Sequence, residues 1–151
     1  MTEDDPKLAM IRGNAALVFH ELGPIAGHEF GYGPESVAWV DGYIERQRRR
    51  LDDADAVSSL VSVLGSYLGE AVIKAAGGTW DVHERDEIGI RFDNGDWCFP
   101  FSKVAKQFAC GTTEGGESIL SFYNVSTSLI ANGRLGEAAS TSDDARTSET
   151  Q

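Results

Sequence analysis

Apolar residues recur at intervals of three and four along the first part of the chain, a spacing typical of amphipathic helices. The first predicted helix begins at Asp5 and Pro6, an N-cap residue followed by proline, and ends at Gly23. The connector that follows, residues 23–33, contains four glycines and one proline, which excludes a long regular element. A second predicted helix begins at Pro34. The apolar positions are Leu8, Ile11, Ala15, Val18 and Leu22 in the first helix and Val37, Val40, Tyr43 and Ile44 in the second.

The third predicted helix is the most apolar, and we expect it at the centre of the fold. Asp52 or Asp53 caps its start, and residues 76–78 end it. Its apolar stripe consists of Val57, Leu60, Val61, Leu64, Leu68, Ala71, Val72 and Ala75. The opposite side consists of Ser58, Ser62, Gly65 and Gly69. Because glycine costs about 1 kcal/mol relative to alanine inside a helix, we expect this small side to pack closely against another element of the same chain.

Alternation of apolar and polar residues replaces the helical spacing after residue 78, which predicts strands. Asn94 and Gly95 are a strong signal for a two-residue type I′ hairpin turn, because both central positions of that turn need positive φ. With this turn, Phe92 lies opposite Trp97. One apolar face then results, consisting of Ile88, Ile90, Phe92, Trp97 and Phe99. We therefore predict a three-stranded antiparallel sheet.

Two further helices are predicted at the C-terminal end. Pro100 ends the third strand, and Ser102 caps a short helix that Gly111 terminates. The last helix begins near Ile119 and ends at Asn132. The predicted fold class is thus α+β, with N-terminal helices, a long central helix, a three-stranded antiparallel sheet and two C-terminal helices.

The chain is predicted to hold one domain with two extensions. Residues 1–5 form an acidic N-terminal extension, and residues 6–132 form a single α+β domain. Residues 133–151 contain Leu135 as their only large apolar residue. Since so little apolar surface cannot offset the entropy lost on ordering, we expect this segment to be a disordered tail.

Composition and charge narrow the class of protein. Of the 151 residues, 41% are hydrophobic, which is enough for one compact core and excludes disorder over the whole chain. Thirteen Lys and Arg against 24 Asp and Glu give a net charge of −11. An acidic surface repels phosphate backbones, so we expect no nucleic-acid binding.

The location of the protein is predicted from three further features. The longest uninterrupted apolar run, Ala15 to Phe19, has five residues, far fewer than the roughly 20 that cross a bilayer, so we expect no membrane association. Residues 1–5 are acidic, unlike the basic start of a secretory signal. Cys98 and Cys110 lack CxxC spacing, and we expect both to be free thiols. These features predict a cytoplasmic protein.

Metal binding has two candidate places in the sequence. His20 and His28 are each followed by a glutamate, but glycine and proline between them prevent both from lying on one helix. Asp93 and Asp96 would face each other across the predicted turn and could share a cation. We interpret the histidines as surface or capping residues and the aspartates as a solvated hairpin tip, so no metal is predicted.

Catalytic residues have no recognisable constellation in the sequence. There is no GxSxG, P-loop or Cys-His arrangement, and no cofactor is predicted. Glu70 lies between the apolar and small sides of the third helix, where it either pairs with Lys74 at i+4 or lies partly buried at a groove. His83 lies among acidic residues near the hairpin, and Arg91 lies on its polar face. Glu70, His83 and Arg91 are therefore the catalytic candidates.

Three segments carry a resemblance to known proteins. They are Gly-Ser-Tyr-Leu-Gly-Glu at residues 65–70, Gly-Gly-Thr-Trp at residues 77–80 and Phe-Pro-Phe-Ser-Lys-Val at residues 99–104. Over residues 34–125 the chain resembles small bacterial domains of unknown function with a Gly-x-Tyr-Leu-Gly-Glu helix, a Gly-Gly-x-Trp turn and a Pro-x-x-Lys-Val helix start. The resemblance implies an α+β fold and a bacterial origin, and it implies no activity.

Two functions follow from these features. The sequence favours a non-catalytic protein-binding module of regulatory or immunity type, because the chain is small and acidic and lacks a catalytic constellation. The alternative is a small enzyme or ligand-binding domain that uses a groove near Glu70, His83 and Arg91. A pocket in which Glu70 and His83 converge would support the alternative. The sequence indicates neither the partner nor the oligomeric state.

Overall fold

The computed structural model describes residues 1–112 and 118–131. In this part of the chain the helices are α1 (Pro6–Leu22), α2 (Pro34–Arg48), α3 (Ala54–Ala76), α4 (Pro100–Cys110) and α5 (Ile119–Ala131), and the strands are β1 (Thr79–Val82), β2 (Ile88–Arg91) and β3 (Trp97–Cys98). The strands form one antiparallel sheet in the order β1-β2-β3. The predicted α+β fold is confirmed. The predicted tail, residues 133–151, lies outside the described residues, as does the predicted end of the last helix.

Local sequence signals set the ends of the helices. The side chain of Asp5 accepts a hydrogen bond from the backbone N of Lys7 (2.8 Å) at the start of α1. The side chain of Asp53 accepts one from the backbone N of Asp55 (3.0 Å) at the start of α3, which decides between the two predicted caps. Gly77, at φ +82°, ends α3 in a conformation that favours glycine.

Helix α4 begins at Pro100 rather than at the predicted cap, Ser102. Proline suits the first helical position because the N–H that it lacks would have no partner there. The hydroxyl of Ser102 instead donates a hydrogen bond to Oε2 of Glu87 (2.6 Å). This bond ties the first turn of α4 to the segment before β2.

Helix α3 lies at the centre of the fold. Helices α1, α4 and α5 pack on it, α5 also packs on α2, and α4 also contacts α2 and β2. Its buried residues are Leu64, Gly65, Ser66, Tyr67, Leu68, Gly69, Ala71 and Val72. The predicted stripe is longer, since Val57, Leu60 and Val61 are only partly buried and Ala75 is exposed. Its neighbours α1, α4 and α5 have 17, 11 and 13 residues against 23 in α3, and its first turns are covered only in part.

Among the described helices, α3 is long and apolar enough to cross a membrane, with a mean hydropathy of 1.5. In the fold, 44% of that apolar window is buried. The core helix of a folded domain can also be this long and this apolar. The length and hydropathy of α3 therefore agree with its position in the core.

Two aromatic rings pack on the glycines of the small side of α3. A Cβ atom at Gly69 would overlap Cη2 and Cζ2 of Trp80, and one at Gly65 would overlap the ring of Phe101. The two rings also contact each other, with centroids 5.6 Å apart. The prediction of close packing against the same chain is confirmed for Gly65 and Gly69, whereas Ser58 and Ser62 on the same side are exposed. The packed elements are the first strand and the start of α4.

The loop of the hairpin has one residue more than predicted. The backbone N of Gly95 donates to the carbonyl O of Phe92 (2.9 Å), and the N of Phe92 donates to the O of Asp96 (2.8 Å). Residues 93–95 therefore form a three-residue loop with Gly95 at φ +93°, the geometry of a type I turn followed by a left-handed glycine. The prediction that Phe92 lies opposite Trp97 is wrong.

The change of register moves two aromatic side chains to the other face of the sheet. Ile90 pairs with Cys98, and Arg91 pairs with Trp97. Because side chains alternate along a strand, a shift of one residue exchanges the two faces. Cys98 is therefore buried with Ile90, whereas Trp97 stacks with Phe99 on the outer face.

A buried polar network joins α2, α4 and α5. Nε2 of Gln107 donates to Oδ1 of Asp41 (3.0 Å) and Oε2 of Glu45 (2.9 Å). Oε1 of Gln107 accepts from the N of Ile119 (2.8 Å), and Oδ2 of Asp41 accepts from the N of Leu120 (3.1 Å). These bonds satisfy N–H groups at the start of α5, which have no partner within the helix. Gln107 is fully buried, so the network fixes where α5 begins.

Candidate functional site

Glu70 lines a cavity of about 380 Å³ between the N-terminal segment, α1, α3 and β1. Its Oε2 accepts a hydrogen bond from Nε1 of Trp80 at 2.9 Å. Since Trp80 is held in place by its packing on Gly69, this bond holds the carboxylate at the cavity wall. Among the described residues the other carboxylate oxygen accepts no hydrogen bond.

Two cations line the same cavity. Arg12 donates from Nη1 and Nη2 to the two carboxylate oxygens of Glu3, at 2.8 and 3.3 Å. The hydrogen bond to Glu3 raises the pKa of Arg12, and the negative charge of Glu70 acts in the same direction. Nζ of Lys74 lies 5.1 Å from the ring centroid of Tyr32. The cavity therefore holds two acidic and two basic side chains.

The structure does not bring Glu70 together with the other two catalytic candidates. Trp80, which binds Glu70, faces the core, whereas Arg91 is exposed on the outer face, opposite Trp97 in the register. His83 contacts Trp97 and so lies on the outer face too. Neither His83 nor Arg91 lines the Glu70 cavity.

His83 is held among aromatic rings. Its ring centroid lies 4.6 Å from that of Trp97 and 5.3 Å from that of Phe99, with edge-to-face geometry in both cases. Trp97 and Phe99 stack with an interplanar angle of 9°. Sequence analysis missed this cluster because it depends on the register of the hairpin.

Arg91 is engaged in an ion-pair network with Asp81. Its Nε donates to Oδ2 of Asp81 at 3.2 Å, while Oδ1 accepts from the amino group of Met1 (3.0 Å) and the backbone N of Val82 (2.8 Å). The Met1 amino group, the Val82 N–H and Arg91, in that order, lower the pKa of Asp81 to about 2. Arg91 therefore stabilises a neighbouring carboxylate on the outer face.

The two histidines proposed as metal candidates have different surroundings. His20 is exposed, with Nε2 4.0 Å from Oε2 of Glu21. Nδ1 of His28 lies 3.3 Å from the carbonyl O of Ala26, and its Nε2 lies 2.9 Å from Oγ of Ser36. Because a carbonyl only accepts, the neutral His28 carries its proton on Nδ1 and accepts from Ser36. His28 thus orders the glycine-rich connector.

The aspartates of the hairpin do not face each other as predicted. Asp96 lies opposite Phe92, while Asp93 lies inside the three-residue loop. Asn94 donates from Nδ2 to Oδ2 of Asp96 (3.1 Å), and the N of Asp96 donates to Oδ1 of Asn94 (2.9 Å). Over residues 1–112 and 118–131, no group of three or more His, Cys, Asp or Glu side chains could hold a metal ion.

An open groove follows the first half of α3. It consists of two cavities of about 490 and 350 Å³ that both include Ser58 and Val61; we refer to them together as the α3 groove. The larger one lies between α3 and α4, with Val57 and Phe108 among its apolar residues. The exposed side chain of Met10 lies in the smaller one. The groove includes Val57 and Val61 of the predicted apolar stripe, which the other elements cover only in part.

The charged side chains that line the α3 groove are all acidic. Asp52 and Asp53 lie at one end, and Asp86 and Glu87 lie at the other. No Lys, Arg or His is among the described residues that line it. Sequence analysis missed the groove, although the apolar stripe of α3, longer than any neighbouring helix, was a signal for it.

Comparisons of the chain with protein-family models, with curated proteins and with solved structures found no match.

Proposed function

We propose that this chain is a non-catalytic protein-binding module, of regulatory or immunity type, that binds a basic amphipathic helix of another protein in the α3 groove. The observation that carries the proposal is the continuation of the apolar stripe past the core, which leaves Val57 and Val61 half-buried in an open groove. An apolar groove of this kind suits the apolar face of a helix.

The negative charge of the groove favours a partner helix with basic residues. The groove carries four carboxylates and no basic side chain among its described residues, and the whole chain has a net charge of −11. A partner with Lys or Arg beside its apolar residues is attracted and oriented by this field. A second copy of the chain would present the same negative groove, and anionic lipids or nucleic acids would be repelled for the same reason.

The dimensions of the groove also suit a short helix. It follows α3 from Asp53 to Ser66, which corresponds to about 20 Å at 1.5 Å per residue. A partner helix of about three to four turns covers that length. Its apolar side chains would contact Val57, Val61 and Phe108.

A synthetic peptide tests the proposal. The probe has about 14 residues, enough to span the groove, with leucine at i, i+3, i+4 and i+7 and lysine on the other positions; the matched control has glutamate in place of lysine. We expect the lysine peptide alone to bind in fluorescence anisotropy, with an affinity that falls as salt is added. Equal binding of both peptides would contradict the charge argument.

Variants of the groove locate the binding surface. Val57→Asn or Val61→Asn should weaken binding of the lysine peptide about tenfold, because each removes an apolar contact without changing charge. Val125→Asn is the matched control, since Val125 is an apolar residue of α5, 52% exposed and away from the groove. A natural partner captured from cells should be lost with Val61→Asn and kept with Val125→Asn. Loss with neither variant would show that the groove is not the binding surface.

A further inference from the structure

Glu70 and Lys74 are spaced to form an ion pair on one face of α3 but do not do so. Residues at i and i+4 of a helix have Cβ atoms about 5–6 Å apart, and Glu before Lys is the favourable order. In the structure Glu70 accepts from Nε1 of Trp80, and Nζ of Lys74 lies over the ring of Tyr32. No ion pair within 4.0 Å joins Glu70 and Lys74 among the described residues.

The space beside these two charges is the 380 Å³ cavity. One carboxylate oxygen of Glu70 has no hydrogen-bond donor among the described residues, and the ammonium of Lys74 has an aromatic ring as its described partner. Arg12 forms a third charged position on the wall and Glu3 a fourth. Leu8 and Ile73 add apolar surface.

We propose that this cavity binds a free α-amino acid. The ligand's ammonium donates to the Glu70 carboxylate, and its carboxylate accepts from Lys74. Its side chain packs on Leu8 and Ile73. An α-amino acid carries both charged groups on one carbon atom, so it can bridge two residues one helical turn apart.

A ligand with a single charge fits the cavity less well. An amine without a carboxylate would meet Glu70 but leave Lys74 without an anion. A carboxylate without an amine would meet Lys74 but be repelled by Glu70. Because Glu3 and Arg12 pair with each other, the charges left for a ligand are the carboxylate of Glu70 and the ammonium of Lys74, which together favour a zwitterion. This site shares no lining residue with the α3 groove and does not depend on the function proposed for that groove.

The indole N–H of Trp80 reports on the cavity, because it donates to Glu70. Its NMR signal in the ¹⁵N-labelled full-length protein is identified by its loss in Trp80→Phe. The proteinogenic L-amino acids are titrated one at a time, and we expect at least one to shift this signal saturably. The decarboxylated and the deaminated analogue of the tightest ligand should each bind at least about tenfold more weakly, since each loses one charge-assisted hydrogen bond.

Two pairs of variants complete the test. Glu70→Gln keeps an acceptor for Trp80, and Lys74→Gln keeps a side chain of similar length; each should weaken binding at least about tenfold. Glu21→Gln and Lys106→Gln are the matched controls, since both residues are exposed and neither lines the cavity; they should leave binding unchanged. The unfolding midpoint of each variant shows that it is folded. The proposal is overturned if no amino acid gives a saturable shift, if an analogue with one charge binds as tightly, or if Glu70→Gln and Lys74→Gln bind like the parent.

Discussion

The indole ring of Trp80 occupies the space in which a side chain at Gly69 would lie. A Cβ atom there would overlap two atoms of the six-membered ring, and Trp80 is 3% exposed, so the ring has little room to move. Gly69→Ala should therefore lower the free energy of unfolding by about 1–3 kcal/mol, and Gly69→Leu by more, because both force atoms into a filled space. Urea denaturation of both variants measures this.

Gly13 provides the control for that measurement. It also lies in a helix, α1, but a Cβ atom there would meet no atom within 4 Å. Gly13→Ala should raise the free energy of unfolding by up to about 1 kcal/mol, since alanine has the higher helix propensity. If Gly69→Ala raised the free energy of unfolding as Gly13→Ala does, Trp80 would not be closely packed on Gly69.

The hydrogen bond between Trp80 and Glu70 should contribute measurably to the free energy of unfolding. Glu70→Ala removes the acceptor of the indole N–H, and we expect a loss of about 1 kcal/mol in the free energy of unfolding. Glu70→Gln keeps an amide oxygen in reach and should lose less. The two variants are compared by chemical denaturation. A larger loss in the glutamine variant than in the alanine variant would contradict this role for Glu70.

Asp81 should make stability depend on pH in acid. Its pKa is lowered to about 2 in the folded protein from an ordinary 3.8, so the folded state favours the ionised form. The stabilisation is fully present above the unfolded pKa and is lost as the pH falls through 3.8 towards 2. The parent should therefore be more stable than Asp81→Asn at neutral pH, and the difference should disappear near pH 2. Urea denaturation at a series of pH values measures it, with Asp93→Asn in the exposed hairpin loop as control. An advantage that persists unchanged to pH 2 would show that the charge of Asp81 is not its source.

The two cysteines should react at different rates. Both thiols are free in the structure; Cys110 is exposed and Cys98 is buried. Burial raises the pKa of Cys98 to about 12, so its thiolate is scarce and inaccessible at neutral pH. A thiol reagent should modify one cysteine rapidly in the native protein and the second only on unfolding. Cys110→Ser should abolish the rapid phase, and a rapid phase that survives in this variant would contradict the burial of Cys98.

Local features of the sequence determined the helices and the existence of the hairpin. Asp5 and Asp53 are caps whose side chains bond backbone N–H groups two residues ahead, an interaction that depends only on neighbours in the chain. Gly65 and Gly69 predicted that this part of α3 is closely packed, since glycine inside a helix is unfavourable without such a contact. These signals act within one or two helical turns, and the sequence displays them directly.

The tertiary structure alone decided the register of the sheet, the extent of burial and the partner of Glu70. Asn94 and Gly95 suit both a two-residue and a three-residue loop, and the pairing that buries Cys98 beside Ile90 selects the longer one. The sequence leaves two alternatives for Glu70, an ion pair with Lys74 or a partly buried carboxylate at a groove. The position of Trp80 on β1 decides for the second, since its Nε1 donates to Glu70 at the cavity wall. Each outcome depends on residues far apart in the chain whose positions follow from the packing of whole elements. For the same reason no local pattern could show that Glu70 shares a cavity with Arg12, or which part of the long apolar stripe of α3 is left open as an acidic groove.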